Sequence, residues 1–373
     1  MHKEAKMVQL NIDCEGPITQ NDNAFELCEE LIPGGGTFFA RVSKYDDFLA
    51  DIDQKPGYKA GDTLKLVLPF LKAYGATNKI MKNFSEKTLM LLPGAKRMLA
   101  SIEELCPAFI ISTSYKPYLQ ALCELTGFPM DNVYCTEVDL DSYSLEKNEQ
   151  ETLQNLAKEI TGMPLLSWPE QCESRQDLDE VNLETLKRLD EIFWEIIPSM
   201  SIGKIMEDVN PVGGPEKAKG VEDSLLRTGN TIEDVLYVGD SITDVQAFEL
   251  AKNGGGVALS FNGNSYAVKS AQYALLSYET ILITAIISLL KNKGMKALKD
   301  LFQKYETDTL RGEKLLTALE KEGVPPSMLE VKFSEKVGLP VLYEINNTNQ
   351  DKIILQSERV RKMVRGVAIG DLG

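Results

Sequence analysis

The sequence predicts an α/β protein: a doubly wound parallel sheet with helical insertions. Three observations point there. Short apolar runs at Met7 to Ile12, Ala108 to Ile111, Val133 to Val138, Val235 to Val238 and Gly256 to Leu259 have the length and composition of buried strands. Stretches of helical period stand between them. Two of the runs stop on an aspartate beside a glycine turn, at Asp13 and at Asp240.

In chain order, Met7 to Ile12 is the first strand. Residues 21–83 read as helical, interrupted at Gly34-Gly35-Gly36, Pro56-Gly57 and Gly75, with segments at Ala24 to Leu31, Tyr45 to Ile52 and Thr63 to Tyr74. Pro93-Gly94 marks a boundary, and helix and strand then alternate: Ala95 to Leu105 helical, 108–111 extended, Pro117 to Thr126 helical, 133–138 extended. Residues 145–200 return to helix, where Leu186, Leu189, Phe193 and Ile196 form an apolar stripe that reads as a face packed on a core. Alternation resumes with helices at Lys217 to Leu226 and Asp244 to Lys252. Residues 292–373 are charged and mostly helical, without a motif, and the chain has no internal repeat. The expected organisation is a core of 1–17, 91–139 and 205–290, a helical cap at 18–90, a second helical insertion at 140–204 and a C-terminal extension at 291–373.

Composition excludes several chemistries. The 373 residues hold 40 Lys and Arg against 56 Asp and Glu, a net charge of −16, which ill suits a nucleic-acid surface or an anionic membrane. The single histidine, His2, removes Ser-His-Asp and Cys-His catalysis and any metal site that needs two imidazoles. The six cysteines form no C-x-x-C pair and read as small buried hydrophobes in a reducing compartment. The charged start lacks a signal-peptide core, and the longest greasy stretch, Ile281 to Leu290, is ten residues and too short to cross a bilayer. A cytoplasmic protein without membrane insertion is expected.

Four stretches carry chemistry. Asp13-Cys14-Glu15-Gly16-Pro17 puts two carboxylates at the carboxyl end of a strand, where open α/β sheets bind ligands. Gly239-Asp240-Ser241-Ile242-Thr243-Asp244 puts two more at a strand-to-helix turn, a donor set for a hard cation, although an aspartate there also serves as a helix cap. Ser112, Thr113 and Ser114 offer hydroxyl and N–H groups suited to phosphate oxygens, or again a cap. Lys217, in Gly213-Gly214-Pro215-Glu216-Lys217, can offset the repulsion between a carboxylate and a phosphate, or be a plain surface charge.

Taken together and in this order, the four resemble the haloacid dehalogenase-like hydrolase superfamily, most of whose members are phosphatases. Lys217 precedes Asp240 by 23 residues, room for one helix, a loop and a strand, as in phosphoserine-phosphatase-like members. Asn262-Gly263-Asn264 is similar to that family's following turn. The resemblance covers about half the chain, residues 7–17, 91–139 and 205–275. It departs at Glu15, where most phosphatase members carry Asp; enolase-phosphatases also read Asp-x-Glu-Gly. The stretch DCEGPITQNDNAFEL also resembles an archaeal branch named for subunit R of energy-converting hydrogenase A, which implies association with a hydrogenase complex.

The resemblance implies a Rossmannoid core and a Mg²⁺-dependent phosphomonoesterase acting on a small phosphorylated metabolite. Asp13 would be the nucleophile that forms an aspartyl-phosphate. Glu15 would be the acid/base, needing a pKa raised above its free value of ~4.3, with Asp13 as a source of like charge. Asp13, the Glu15 carbonyl and Asp240 would hold Mg²⁺. Ser112, Thr113 and Lys217 would face the phosphate, and Asp244 would orient Lys217 or a metal-bound water. A non-catalytic accessory subunit with the same fold is the competing expectation.

Overall fold

Seven strands make one sheet: β1 (Gln9–Ile12), β2 (Ala108–Tyr115), β3 (Val133–Thr136), β4 (Val235–Gly239), β5 (Val257–Phe261), β6 (Tyr273–Leu276) and β7 (Val341–Glu344). The computed structural model describes residues 7–169, 171–305, 310–332, 334–335, 337–370 and 372. His2 lies outside them. The strand order is β3-β2-β1-β4-β5-β6-β7, with every pair parallel except the antiparallel β6–β7 edge. This is the doubly wound sheet that the sequence predicts, of the Rossmannoid kind. The chain lays β2 and β3 on one side of β1 and β4 to β6 on the other, so the order reverses between β1 and β4. Ligands of open α/β sheets bind at the carboxyl ends of strands at such a switch point.

Both faces of the sheet are covered, so β1 is buried at all four positions. Its two polar side chains aim at one helix. Gln9 and Asn11 donate to the Ser224 hydroxyl at 2.7 and 2.8 Å, and the Thr228 hydroxyl and the Asn230 amide donate to Gln9. Ser224 and Thr228 belong to helix Pro215–Thr228, which carries Lys217 near its start. A buried amide left unpaired costs about 1–3 kcal/mol, so this network fixes where the helix sits on β1, and hence how Lys217 faces Asp13.

The two helical insertions share one core. Phe38, Phe48 and Phe70 from the first pack with Leu153, Leu186 and Phe193 from the second in a single apolar cluster. The Phe38–Phe70 and Phe70–Phe193 rings lie 4.9 and 6.0 Å apart. The predicted stripe at Leu186, Leu189 and Phe193 is buried in this cluster, with Ile196 at its margin.

One local reading holds and three change. The Gly34-Gly35-Gly36 run does interrupt the helical pattern: helix Asn23–Leu31 ends before it, Gly34 stands at φ 73°, and helix Gly35–Asp47 begins there. A Cβ on Gly35 would lie 1.7 Å from the Cys28 carbonyl oxygen, so the glycine serves close helix contact. Ser112 and Thr113 sit inside β2 rather than after it. The Thr136 hydroxyl donates to the Thr113 carbonyl at 2.5 Å across an irregular stretch of the β2–β3 ladder, which carries pairing on to Tyr115. The strand β6 has no counterpart among the predicted elements. The 291–373 stretch is helical in large part, yet it also adds β7 to the sheet edge and sends helix Gln350–Arg365 back toward the switch point.

Candidate active site

Asp13 and Asp240 leave the carboxyl ends of the neighbouring strands β1 and β4, which pair Ile12 with Val238. The Asp13 amide donates to the Val238 carbonyl at 2.8 Å, so the two strand ends are tied together at the turn. Gly16 follows at φ 105°, and a Cβ there would stand 2.0 Å from Asp240 Oδ2. Only glycine permits both that backbone and that approach. Carboxylate oxygens of Asp13, Asp240 and Asp244 lie within 4.8 Å of one another.

Lys217 is fully buried, and its Nζ donates to Asp13 Oδ2 at 2.6 Å and to Asp244 Oδ1 at 2.7 Å. Burial opposes its charge, but the two carboxylates outweigh burial and leave its pKa raised. Asp244 is used on all sides. The Tyr237 hydroxyl also donates to Oδ1 at 2.7 Å, and the Asp240 and Ser241 amides donate to Oδ2 at 2.9 and 3.0 Å. Asp13 is raised to about 7, first by burial and then by the Asp244 and Asp240 charges, against the pull of Lys217.

Asp13, Glu15, Ser112, Thr113 and Asp240 line one cavity of about 100 Å³ between the sheet and the first helical insertion. Lys217 and Asp244 stand behind that wall and not on the cavity: Lys217 contacts Asp13, and Asp244 contacts Lys217. Five of the predicted site residues therefore face a common space, and two support it from the rear. Glu15 Oε1 accepts from the Asn23 amide at 2.7 Å, at the start of helix Asn23–Leu31. Burial raises the Glu15 pKa well above the usual carboxylate range, with Asp22 adding like charge and Arg365 opposing. The like charge is thus Asp22, where Asp13 was expected. Among the described residues, the buried Thr113 Oγ1 finds no hydrogen-bond partner, and it faces the same space.

Four contributors were not foreseen. Asp46 and Asp47 reach the cavity from the first helical insertion. Arg361 and Arg365 come from helix Gln350–Arg365, both within hydrogen-bond reach of Asp240 Oδ2, Arg365 at 3.0 Å. Their only signal in the sequence is the spacing Ile353, Ser357, Arg361, Arg365, one face of a helix whose first members are apolar or small. The oxygen-only chemistry of Asp13 and Asp240 and the glycine cradle at Gly16 suit a hard divalent cation. Asp244 fits that role less well, since its oxygens already hold Lys217, Tyr237 and two amides.

Gene product AF1437 from Archaeoglobus fulgidus is 30% identical over 99% of this chain and 99% of its own, with a TM-score of 0.77. The chain belongs to the AF1437 family. Looser likenesses, all with TM-scores below 0.5, assign nothing. Phosphoserine phosphatase in apo form is 12% identical over 75% of this chain and 98% of its own, at 0.46. A HAD family hydrolase from Salmonella enterica subsp. enterica serovar Typhi is 11% identical over 70% and 65%, at 0.42. No family model and no curated protein matches the chain. No helix among the described residues is long and apolar enough to cross a membrane.

Proposed function

We propose that this protein is a haloacid dehalogenase-like phosphatase that hydrolyses a small phosphomonoester through an aspartyl-phosphate on Asp13. The observation that carries the reading is the Asp13–Lys217–Asp244 chain beside Asp240 at the sheet's switch point. A scaffold has no need for a buried lysine between two carboxylates, because an apolar trio of similar volume is as stable or more so.

In this reading Asp13 attacks phosphorus and the phosphate–oxygen ester bond breaks. Glu15, with its raised pKa, protonates the leaving oxygen. It then takes a proton from the water that cleaves the acyl-phosphate. Lys217 acts from behind, keeping Asp13 ionised and oriented, and Asp244 orients Lys217. Ser112 and Thr113 present hydroxyl and amide groups to the phosphoryl oxygens. Asp13, Asp240 and the Glu15 carbonyl would hold Mg²⁺, which supplies charge neutralisation at the transferring group when bound. The cap residues Asp46 and Asp47 would face the leaving group, on the side where specificity resides.

The test is turnover of an aryl phosphate and a phosphometabolite panel with Mg²⁺, by wild type and Asp13→Asn. Turnover that Asp13→Asn abolishes supports the reading, and no turnover on any substrate removes it. One observation favours the accessory-subunit alternative: a cavity of about 100 Å³ is small beside the ~300–1,000 Å³ of small-molecule sites. Inactive protein that co-purifies with a hydrogenase from native membranes would establish that alternative.

A further inference from the structure

The Asp240 carboxylate, expected to be a cation ligand, is held by two guanidinium groups. Arg361 donates to Asp240 Oδ2 and, at 3.1 Å, to the Asp240 carbonyl. Arg365 donates to the same Oδ2 at 3.0 Å and to the Gln20 and Asn21 carbonyls at 3.1 and 2.5 Å. Both side chains are about 95% buried, and the buried Arg361 Nε has no partner among the described residues. A buried N–H left unpaired is costly, so Arg361 is held there by Asp240 in spite of an incomplete hydrogen-bond set. The helix that carries the pair is anchored independently, by the Ser357 hydroxyl on the Gly263 carbonyl at 2.6 Å and by Ile353, Val360 and Val364 in the core.

Asp240 Oδ2 cannot serve two guanidiniums and a divalent cation at once, because like charges at that distance repel strongly in a buried site. We propose that Arg361 and Arg365 are the built-in competitors for the cation at Asp240, so that cation binding and the docked position of this helix exclude each other. The inference rests on the reading of Asp13 and Asp240 as a cation site. It adds that the arginines, arriving from a C-terminal stretch outside the resemblance, set the cation affinity. A binding-competent form that is only fractionally populated weakens apparent affinity by that fraction. Loosening the guanidinium grip therefore tightens cation binding.

The test uses Mn²⁺ as probe and binding as readout. Arg361→Lys keeps the charge and loses the two-point hold on the Asp240 side chain and carbonyl. By electron paramagnetic resonance titration it should bind Mn²⁺ about tenfold tighter than wild type. In wild type, Mn²⁺ should speed amide hydrogen exchange over residues 350–365, an arm that needs no variant to fold. Equal or weaker Mn²⁺ binding by folded Arg361→Lys, unchanged exchange in wild type, or no Mn²⁺ binding by either protein overturns the proposal. Because neither readout measures turnover, a wild type that hydrolyses a phosphomonoester while Arg361→Lys binds Mn²⁺ no tighter leaves the phosphatase reading standing and removes this one.

Discussion

Replacing Lys217 with Met probes the site's electrostatics most sharply. Met matches the lysine stem in volume, so the packing is nearly kept. What disappears is an ammonium with no exposure at all, 2.6 Å from Asp13 and 2.7 Å from Asp244. Two buried carboxylates are then left without their counter-charge. Removing one partner of a buried ion pair costs about 3–5 kcal/mol. Asp13 and Asp244 keep backbone amide donors at 2.7 Å, 2.9 Å and 3.0 Å, which places the expected loss near the lower end, about 3 kcal/mol at neutral pH.

The deficit also has a pH signature. A carboxyl whose folded pKa lies above its ordinary 3.8 destabilises the fold increasingly as pH rises from 3.8 toward the folded value. Without Lys217 that folded value rises further, so the gap between variant and wild type closes as pH falls toward 4. Urea denaturation followed by circular dichroism at several pH values measures both effects. Lys217→Met/Asp244→Asn should recover more than ~1 kcal/mol, since one of the two orphaned charges is then gone. A loss under ~1 kcal/mol that is the same at all pH values would refute the coupled-charge account.

Other sites extend the test. Gly16→Ala forces a Cβ into Asp240 Oδ2 and a side chain onto φ 105°, so Mn²⁺ affinity should fall at least tenfold and stability by roughly 1–3 kcal/mol, both read by titration and melting. Glu15→Gln should accumulate phosphoenzyme from an aryl phosphate, seen by intact-mass spectrometry, because that leaving group departs without a proton whereas the deprotonation of water still needs the carboxylate. Glu26 is raised to about 7, chiefly by burial, from 4.5. Its contribution to stability is therefore fullest below pH 4.5 and is lost as pH rises to 7. Glu26→Gln should flatten the wild-type decline across that window in urea titrations.

Much of the site was legible because parallel α/β topology leaves few ways to arrange strands. Once Asp13 and Asp240 each end a strand, right-handed crossovers bring them to one edge, and the Gly213-Gly214-Pro215 turn starts the Lys217 helix there. The placement of that helix rests on residues the sequence does not single out: Gln9 and Asn11 are two polar positions in an otherwise apolar run until Ser224 completes their network. The arginines were hidden for a related reason. Arg361 and Arg365 lie among Arg359 and Lys362 in a charged helix, and periodicity cannot separate a solvated basic face from one buried on a carboxylate. What decides is Asp240, more than a hundred residues earlier. The strands β6, one place in from the sheet edge, and β7, at the edge, were missed because a four-residue run carries little periodic signal.

The most direct measurement is the site of covalent labelling. Wild-type protein acid-quenched during turnover of a phosphomonoester with Mg²⁺ should carry one phosphoryl group, mapped by peptide mass spectrometry to Asp13 and absent from Asp13→Asn. Turnover that leaves Asp13 unlabelled, or that survives in Asp13→Asn, would contradict the account.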